Sequence, residues 1–316
     1  MLISRRYPCC MKTDTLSRRL RFAPPQPLAK AIVLTESDID IFHAIHTHGP
    51  LPTNYLYRFS GKTSYKEFQH RLTRLFNGGK DGPGYLTRPW QQFNSFYARY
   101  QPIIYDLSPR AIEELKDRGL WSEYLKRTDG FLHRFMGACI SASVDLECRK
   151  RHYTFIPTHE IFDSRECRRK ELSLPLSNGN AKQIEPDNLF GIRFPDGKTR
   201  YCIIEIDRNT ESVKRSVSDQ NSFAKKIHAY LEVLRADQHA KLWGIKPVRI
   251  LTVTTNAAHM ENIIRYLAEQ PDPIRNRFLF QAYSTFGKQW AVPRGTLAGL
   301  LDEPWYGTAE PVSLIR

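Results

Sequence analysis

Residues 185–207 read EPDNLFGIRFPDGKTRYCIIEID. Two β-like runs, 188–194 and 199–207, flank Pro195-Asp196-Gly197-Lys198, a turn in which Asp196 belongs to the turn chemistry. Three other acids, Asp187, Glu205 and Asp207, stand at the ends of these runs in a basic chain. Side chains alternate along a strand, so Glu205 and Asp207 share one face and Ile204 and Ile206 take the other, where a helix can cover them. In a hairpin, Asp187 at the start of the first run reaches the same edge. The trio is either a set of solvated strand-end charges or a cluster. Clustered carboxylates raise one another's pKa unless a cation neutralises them. Oxygen-only ligands suit a hard divalent ion such as Mg²⁺, with Mn²⁺ as a substitute. Held against a phosphodiester, such an ion polarises the phosphoryl oxygen and acidifies an attacking water. Asp187, Glu205 and Asp207 are therefore the expected metal ligands and catalytic carboxylates.

Outward from this stretch, helix and strand patterns alternate. Leu132, Phe135, Met136, Cys139, Ile140 and Val144 give residues 131–150 an amphipathic helical period, and 153–156 is a short apolar run. A polar segment with an Asn178-Gly179 turn signal predicts a further hairpin. After Ser218 a helix is expected to about His239, then a buried strand in PVRILTVTTN, a helix over 257–270 and a strand over 277–283. Strands alternating with helices imply an α/β sheet with partly parallel pairing. In the helix after Ser218, Phe223, Ile227, Tyr230, Leu231 and Leu234 form an apolar stripe. Lys226 flanks that stripe while Lys225 faces solvent, so Lys226 is the lysine expected at the carboxylates, either as a catalytic group or as a stem lying along the sheet edge.

The first half reads as three helices and a hairpin. Thr35 caps the first helix, with Asp38 completing a capping-box pattern and Ile39, Phe42 and Ile45 on one face. Pro52-Thr53 opens a short second helix. Ser60-Gly61-Lys62 turns into a third, 63–76, with Tyr65, Phe68, Leu72 and Leu75 on its apolar face and Asn77-Gly78-Gly79 at its end. Lys66, His70, Thr73 and Arg74 fall opposite, and Gln69 at the edge. Short polar and cationic groups on an outward face suit base-edge and phosphate contacts in a major groove, and equally describe a solvated face. Two strands, 85–88 and 103–107, then bracket a loop carrying Arg88, Trp90, Phe93, Phe96, Tyr97 and Arg99. Helices followed by a basic, aromatic-tipped hairpin make the winged-helix plan, with Lys62, Arg88 and Arg99 joining the DNA-binding set. Ser108-Pro109 starts a fourth helix. Gly61-Lys62-Thr63 lacks the earlier glycine of a phosphate-binding loop, because position 56 is leucine. His43, His46 and His48 lack a cysteine or acid to complete a metal site.

Bulk composition agrees with a polyanion partner. The 316 residues carry a formal net charge of +14. Residues 1–130 hold 20 Lys/Arg against 12 Asp/Glu and the remainder 27 against 21, so both halves are basic. Six cysteines without a C-x-x-C pair imply free thiols and a cytoplasmic setting. No apolar run reaches the ~18 residues of a membrane span. Residues 1–33 read as a flexible basic arm.

The order helix-strand-strand-strand-helix-strand, with Pro186-Asp187 and then Glu205-Ile206-Asp207, resembles the PD-(D/E)XK nuclease superfamily. A winged helix followed by such a domain is similar to the replication-relaxation family of plasmid and mobile-element proteins. The likeness is carried by Leu34-Thr35, His133, Pro186-Asp187 and the run 205–211, over roughly residues 34–285. The resemblance implies an α/β (α+β overall) chain: a winged-helix DNA-binding domain over 34–128, a restriction-endonuclease-like αβββαβ domain over 129–285 and a tail over 286–316. It also implies double-stranded DNA as partner, a relaxase or replication protein as a second partner, and DNA nicking or processing. The superfamily usually has lysine two positions after the glutamate, where this chain has Asp207. That departure leaves three readings: a Mg²⁺-dependent endonuclease, a non-catalytic DNA-binding regulator or replication accessory, and a docking platform.

Overall fold

Alternation along the quoted stretch places it at the centre of a five-stranded mixed sheet. The computed structural model describes residues 21–24, 27–94, 100–123, 130–176, 183–208, 217–271, 273–297 and 299–315, without the side chains of 217–222. The chain divides into two units, Met1–Trp121 and Ser122–Arg316. This division falls before the expected 128/129 boundary. Among the described residues no helix is long and apolar enough to cross a membrane.

In the first unit, α1 (Glu36–His48) starts where Thr35 and Asp38 form the expected capping box. Chain then passes through β1 (Leu51–Pro52), α2 (Thr53–Phe59), α3 (Tyr65–Asn77), β2 (Leu86–Thr87), β3 (Ile104–Leu107) and α4 (Pro109–Asp117). Ser64 caps α3 by accepting from the Glu67 N–H, two residues later than the sequence pattern suggested. Gly78 ends it at φ 79°, a conformation glycine adopts without a Cβ penalty. The apolar rows of α1, α2 and α3 meet in a core containing Phe42, Ile45, Leu51, Tyr55, Leu56, Phe68, Leu72 and Leu75. Burying each such side chain contributes roughly 1.5–3 kcal/mol. Tyr65 keeps to the expected face, edge-on against the Tyr57 ring that also packs on Phe68, but stays 38% exposed.

β3 is the middle strand, paired antiparallel with both β1 and β2. α2 opens at Pro52-Thr53 as expected, whereas β1 just before it was not anticipated. The hairpin ladder is short because Pro89 has no N–H to donate. A 3-10 turn, Trp90–Phe93, follows, and its Gln92 side chain takes over the pairing. Gln92 Nε2 donates to Ile104 O at 2.8 Å, and the Ile104 N–H donates to Gln92 Oε1 at 2.8 Å. Phe96, Tyr97 and Arg99 lie outside the described residues. The end of the supposed arm is tied down: Leu28 N–H donates to Gly78 O, Ile32 N–H donates to Asp81 Oδ1, and Ile32 is buried.

The second unit runs α5 (Phe131–Lys150), β4 (Thr154–Pro157), α6 (Thr158–Asp163), β5 (Leu174–Pro175), β6 (Gln183–Ile184), β7 (Asn188–Arg193), β8 (Thr199–Asp207), α7 (Val217–Arg235), α8 (Gln238–Trp243), β9 (Val248–Thr254), α9 (Ala257–Ala268) and β10 (Phe278–Ala282). The main sheet has the order β10-β9-β8-β7-β4. β4, β7 and β8 are antiparallel neighbours, whereas β8, β9 and β10 run parallel. β5 and β6 form the extra hairpin, and its Asn178-Gly179 signal lies outside the described residues. α6 was not anticipated. The expected single helix to His239 breaks before α8, where Asp237 takes a left-handed φ of 52° that aspartate tolerates better than most residues.

One sheet face, with Leu189, Ile203, Ile250, Phe278 and Phe280, packs against Ile227, Tyr230, Leu231 and Leu234 of α7 and Met260, Ile263 and Leu267 of α9. On the other face Ile206 lies against α5, where a Cβ built on Gly137 would sit 3.8 Å from it. The last residues are no loose tail. Leu300, Leu301, Trp305 and Leu314 are fully buried, Tyr306 pairs with Phe280 at the outer edge of β10, and Arg249 donates to Ser313 O. Covering an edge strand in this way removes a template for intermolecular pairing.

Candidate functional site

Register decides which carboxylates meet. Asn188 pairs with Ile204, so Asp187 lies beside the end of β8, and its N–H donates to Ile204 O at 3.1 Å. Asp187 Oδ2 accepts from the Ile206 N–H at 2.8 Å, and Oδ1 lies 3.0 Å from His133 Nε2 on α5. Burial pushes the Asp187 carboxyl up, but His133, the Ile206 N–H and the Lys226 charge outweigh it and hold the group below the ordinary value of 3.8.

Glu205 is 1% exposed and points to the α7 side of the sheet. Its two oxygens accept from Lys226 Nζ and from the Tyr230 hydroxyl. Desolvation dominates and raises its pKa; Lys226 opposes this and Asp187 reinforces it. The Lys226 ammonium is also raised: burial acts against it, but Glu205 first, then Asp187 and Asp207, favour the charged form. One ammonium thus stands in the field of all three carboxylates. Tyr230 is fully buried, and both desolvation and Glu205 push its hydroxyl well above the usual tyrosine range.

Asp207 completes the trio from the same strand face as Glu205, and its Oδ2 lies 2.7 Å from His259 Nε2. Asn256 positions that histidine, capping α9 by accepting from the His259 N–H at 3.1 Å. Arg208 directly follows β8; its carbonyl accepts from the Thr255 hydroxyl at 2.8 Å, while its buried Nε has no hydrogen-bond partner.

The structure therefore gathers Asp187, Glu205, Asp207 and Lys226 at one end of the sheet. Sequence reading missed His259 and assigned Tyr230 only to the apolar stripe. The stripe gave no hint that a hydroxyl on it would meet a strand residue, but Asn256 three residues before His259 was a readable cap. Among the described residues no three His, Cys, Asp or Glu side chains come together as a group able to hold a metal ion. Each expected ligand is engaged instead by a group of the protein: Asp187 by His133, Glu205 by Lys226 and Tyr230, Asp207 by His259. The donor chemistry suits Mg²⁺ or Mn²⁺, yet the arrangement as it stands does not fit either ion.

In the first unit Lys62, Lys66, Gln69, His70, Thr73 and Arg74 are all exposed, the last five along α3. Arg71 turns the other way and pairs with the buried Asp38. Arg88 departs from the expected DNA-binding set. Its guanidinium stacks 4.0 Å from the Phe76 ring centroid and donates to the Tyr105 hydroxyl and Arg21 O, so packing, not an outward reach, uses its charge. Arg99 lies outside the described residues.

No family model matches this chain, nor does any curated protein or solved structure.

Proposed function

We propose that the chain is a duplex-DNA-binding protein of the replication-relaxation kind, gripping DNA through a winged helix in its first unit. The exposed row Lys66, Gln69, His70, Thr73 and Arg74 on α3 carries this reading. A helix of this length, backed by buried Phe68, Leu72 and Leu75, presents two cations and three hydrogen-bonding groups to a groove. The formal charge of +14 supplies the long-range attraction. Lys66→Ala and Arg74→Ala should each weaken duplex binding and flatten the dependence of log affinity on log salt by about 0.9. Fluorescence anisotropy across a salt series reads both quantities, and unchanged slopes in both variants would remove the α3 assignment.

A second reading, a restriction-endonuclease-like second unit that nicks or processes DNA, is favoured by Lys226 standing among three carboxylates. An ammonium there can stabilise charge developing on a phosphoryl oxygen, which is a lysine's use at such a centre. Asp187 and Glu205 orient and hold that ammonium, and Tyr230 fixes the Glu205 carboxylate. Mg²⁺, or Mn²⁺ in its place, would enter only with the carboxylates rearranged. Asp187→Ala and Glu205→Ala should each abolish nicking of supercoiled plasmid in Mg²⁺ or Mn²⁺ while leaving DNA affinity intact. Equal nicking by variant and wild type sinks the catalytic assignment. No nicking by the wild type on supercoiled, branched or single-stranded DNA leaves a DNA-binding regulator or accessory, with a relaxase or replication protein as its partner. Cys139, Cys148 and Cys202, buried and not joined in disulfides, support a reducing, cytoplasmic setting.

A further inference from the structure

Among the described residues Asp187, Glu205 and Asp207 each have a partner, whereas the Nε of Arg208 has none. Arg208 is the first residue after β8, directly behind Asp207. It is half-buried, and among the described residues no carboxylate pairs with it. Its Nε is shielded from water and makes no hydrogen bond, and burial alone depresses its pKa. A shielded Nε without a hydrogen bond also occurs at Arg151, but there the guanidinium pairs with Asp302, while Arg149 bonds Asp145 and Arg249 donates to Ser313 O.

Removing a guanidinium from water without a counter-charge is unfavourable, so such a group lowers the stability of the free protein. A buried polar atom without a partner calls for an explanation, and a ligand that supplies the partner is one. The position along β8 indicates where that ligand lies. Ile206 faces Gly137 of α5, and His133, one turn earlier on α5, reaches Asp187. Arg208, two residues beyond Ile206, thus emerges at the same end of the sheet as the Asp187–Glu205–Lys226 cluster. Alternation directs it to the opposite face from Glu205 and Asp207. It is one residue from the cluster in sequence, yet it is not drawn into the carboxylates.

We propose that Arg208 is an anion-binding residue whose missing partner is a phosphate of the nucleic-acid backbone, giving the second unit its own DNA contact beside the carboxylate cluster. A guanidinium offers two parallel N–H groups to a phosphate's oxygens, a geometry that a lysine ammonium does not reproduce. The inference rests on the reading that the chain binds DNA, and extends that contact from the first unit to the second.

The full-length chain tests it through two readouts that move in opposite directions. Arg208→Ala should leave the thermal midpoint unchanged or raised, because a charge without a partner is removed and the Thr255 bond to the main-chain carbonyl survives. The same variant should bind a duplex about tenfold more weakly, with the salt slope reduced by about 0.9. Arg208→Lys should keep the slope. A lower midpoint with unchanged affinity would overturn the proposal in favour of a structural arginine, and so would an unchanged affinity alone. Lys66→Ala serves as the control. If it weakens binding and Arg208→Ala does not, only the second-unit contact fails; if the wild type binds no DNA, both readings fall.

Discussion

Replacing Asp38 with alanine is expected to destabilise the first unit by about 3–5 kcal/mol, a large share of an ordinary domain's stability. The side chain is 2% exposed and is bound from two sides. Thr35 donates both its N–H, at 2.7 Å, and its hydroxyl, at 2.8 Å, to Asp38 Oδ2, which closes the start of α1. Arg71 of α3 donates its Nε to Asp38 Oδ1 at 2.9 Å. Truncation removes the cap and leaves the guanidinium short of its counter-charge while Phe68 and Leu72 still anchor its helix. Burial works to raise the Asp38 pKa, but Arg71 and Thr35 outweigh it and hold it below the ordinary 3.8. A lowered carboxylate pKa stabilises the fold fully above the unfolded value and ceases to do so as pH falls through the folded one. The contribution of Asp38 therefore starts to fall as pH drops below the ordinary 3.8 and is gone only below the lowered folded pKa, and Asp38→Asn should lack that limb. Hydrogen exchange of α1 and α3 amides in the intact chain measures the local loss; a change under 1 kcal/mol would show that the pair is not what joins these helices.

Removing the ammonium at the carboxylate cluster should have the next largest effect. Lys226→Met leaves Glu205 in a site with 2% side-chain exposure and only the Tyr230 hydroxyl as partner. Removing one member of a buried pair is strongly destabilising. The Lys226 side chain is 43% exposed, however, so solvent screens part of the loss, and about 2–3 kcal/mol is expected. Glu205→Gln alone should cost less, because the neutral amide still accepts from Tyr230 and no longer has to be desolvated as a charge. Combining Lys226→Met with Glu205→Gln should recover most of the loss, a coupling that a double-mutant cycle in urea isolates. Additive effects in that cycle would mean that the two side chains stabilise the fold independently. The sign with pH is also fixed: a carboxyl whose folded pKa is raised loses its relative stability as pH rises through that value. Lys226→Met should therefore be most damaging on the alkaline side and Glu205→Gln should remove that dependence.

Much of the architecture was readable because local rules and global packing agree. The period of α5, the Thr35–Asp38 cap, the Pro195–Lys198 turn and the alternation in β8 each depend on neighbours within a few residues. The failures came where distant partners overrode local preference. Arg88 turned inward onto Phe76, and the C-terminal residues, which carried no readable pattern, covered the edge of β10. Gln92 completing a strand ladder with its side chain had no signature in the sequence at all.

By itself, the amino-acid order determined that Glu205 and Asp207 share a strand face, that Lys226 borders an apolar helical stripe, and that α3 presents a polar, cationic row. These follow from the periods of strand and helix, which depend only on backbone geometry. Tertiary structure alone decided what each charge does. It set the β7–β8 register that brings Asp187 to the Ile206 N–H, laid α7 so that Lys226 and Tyr230 both reach Glu205, and delivered His133 and His259 to the two aspartates. Electrostatic partnership depends on distance and burial in space, and neither is encoded in spacing along the chain.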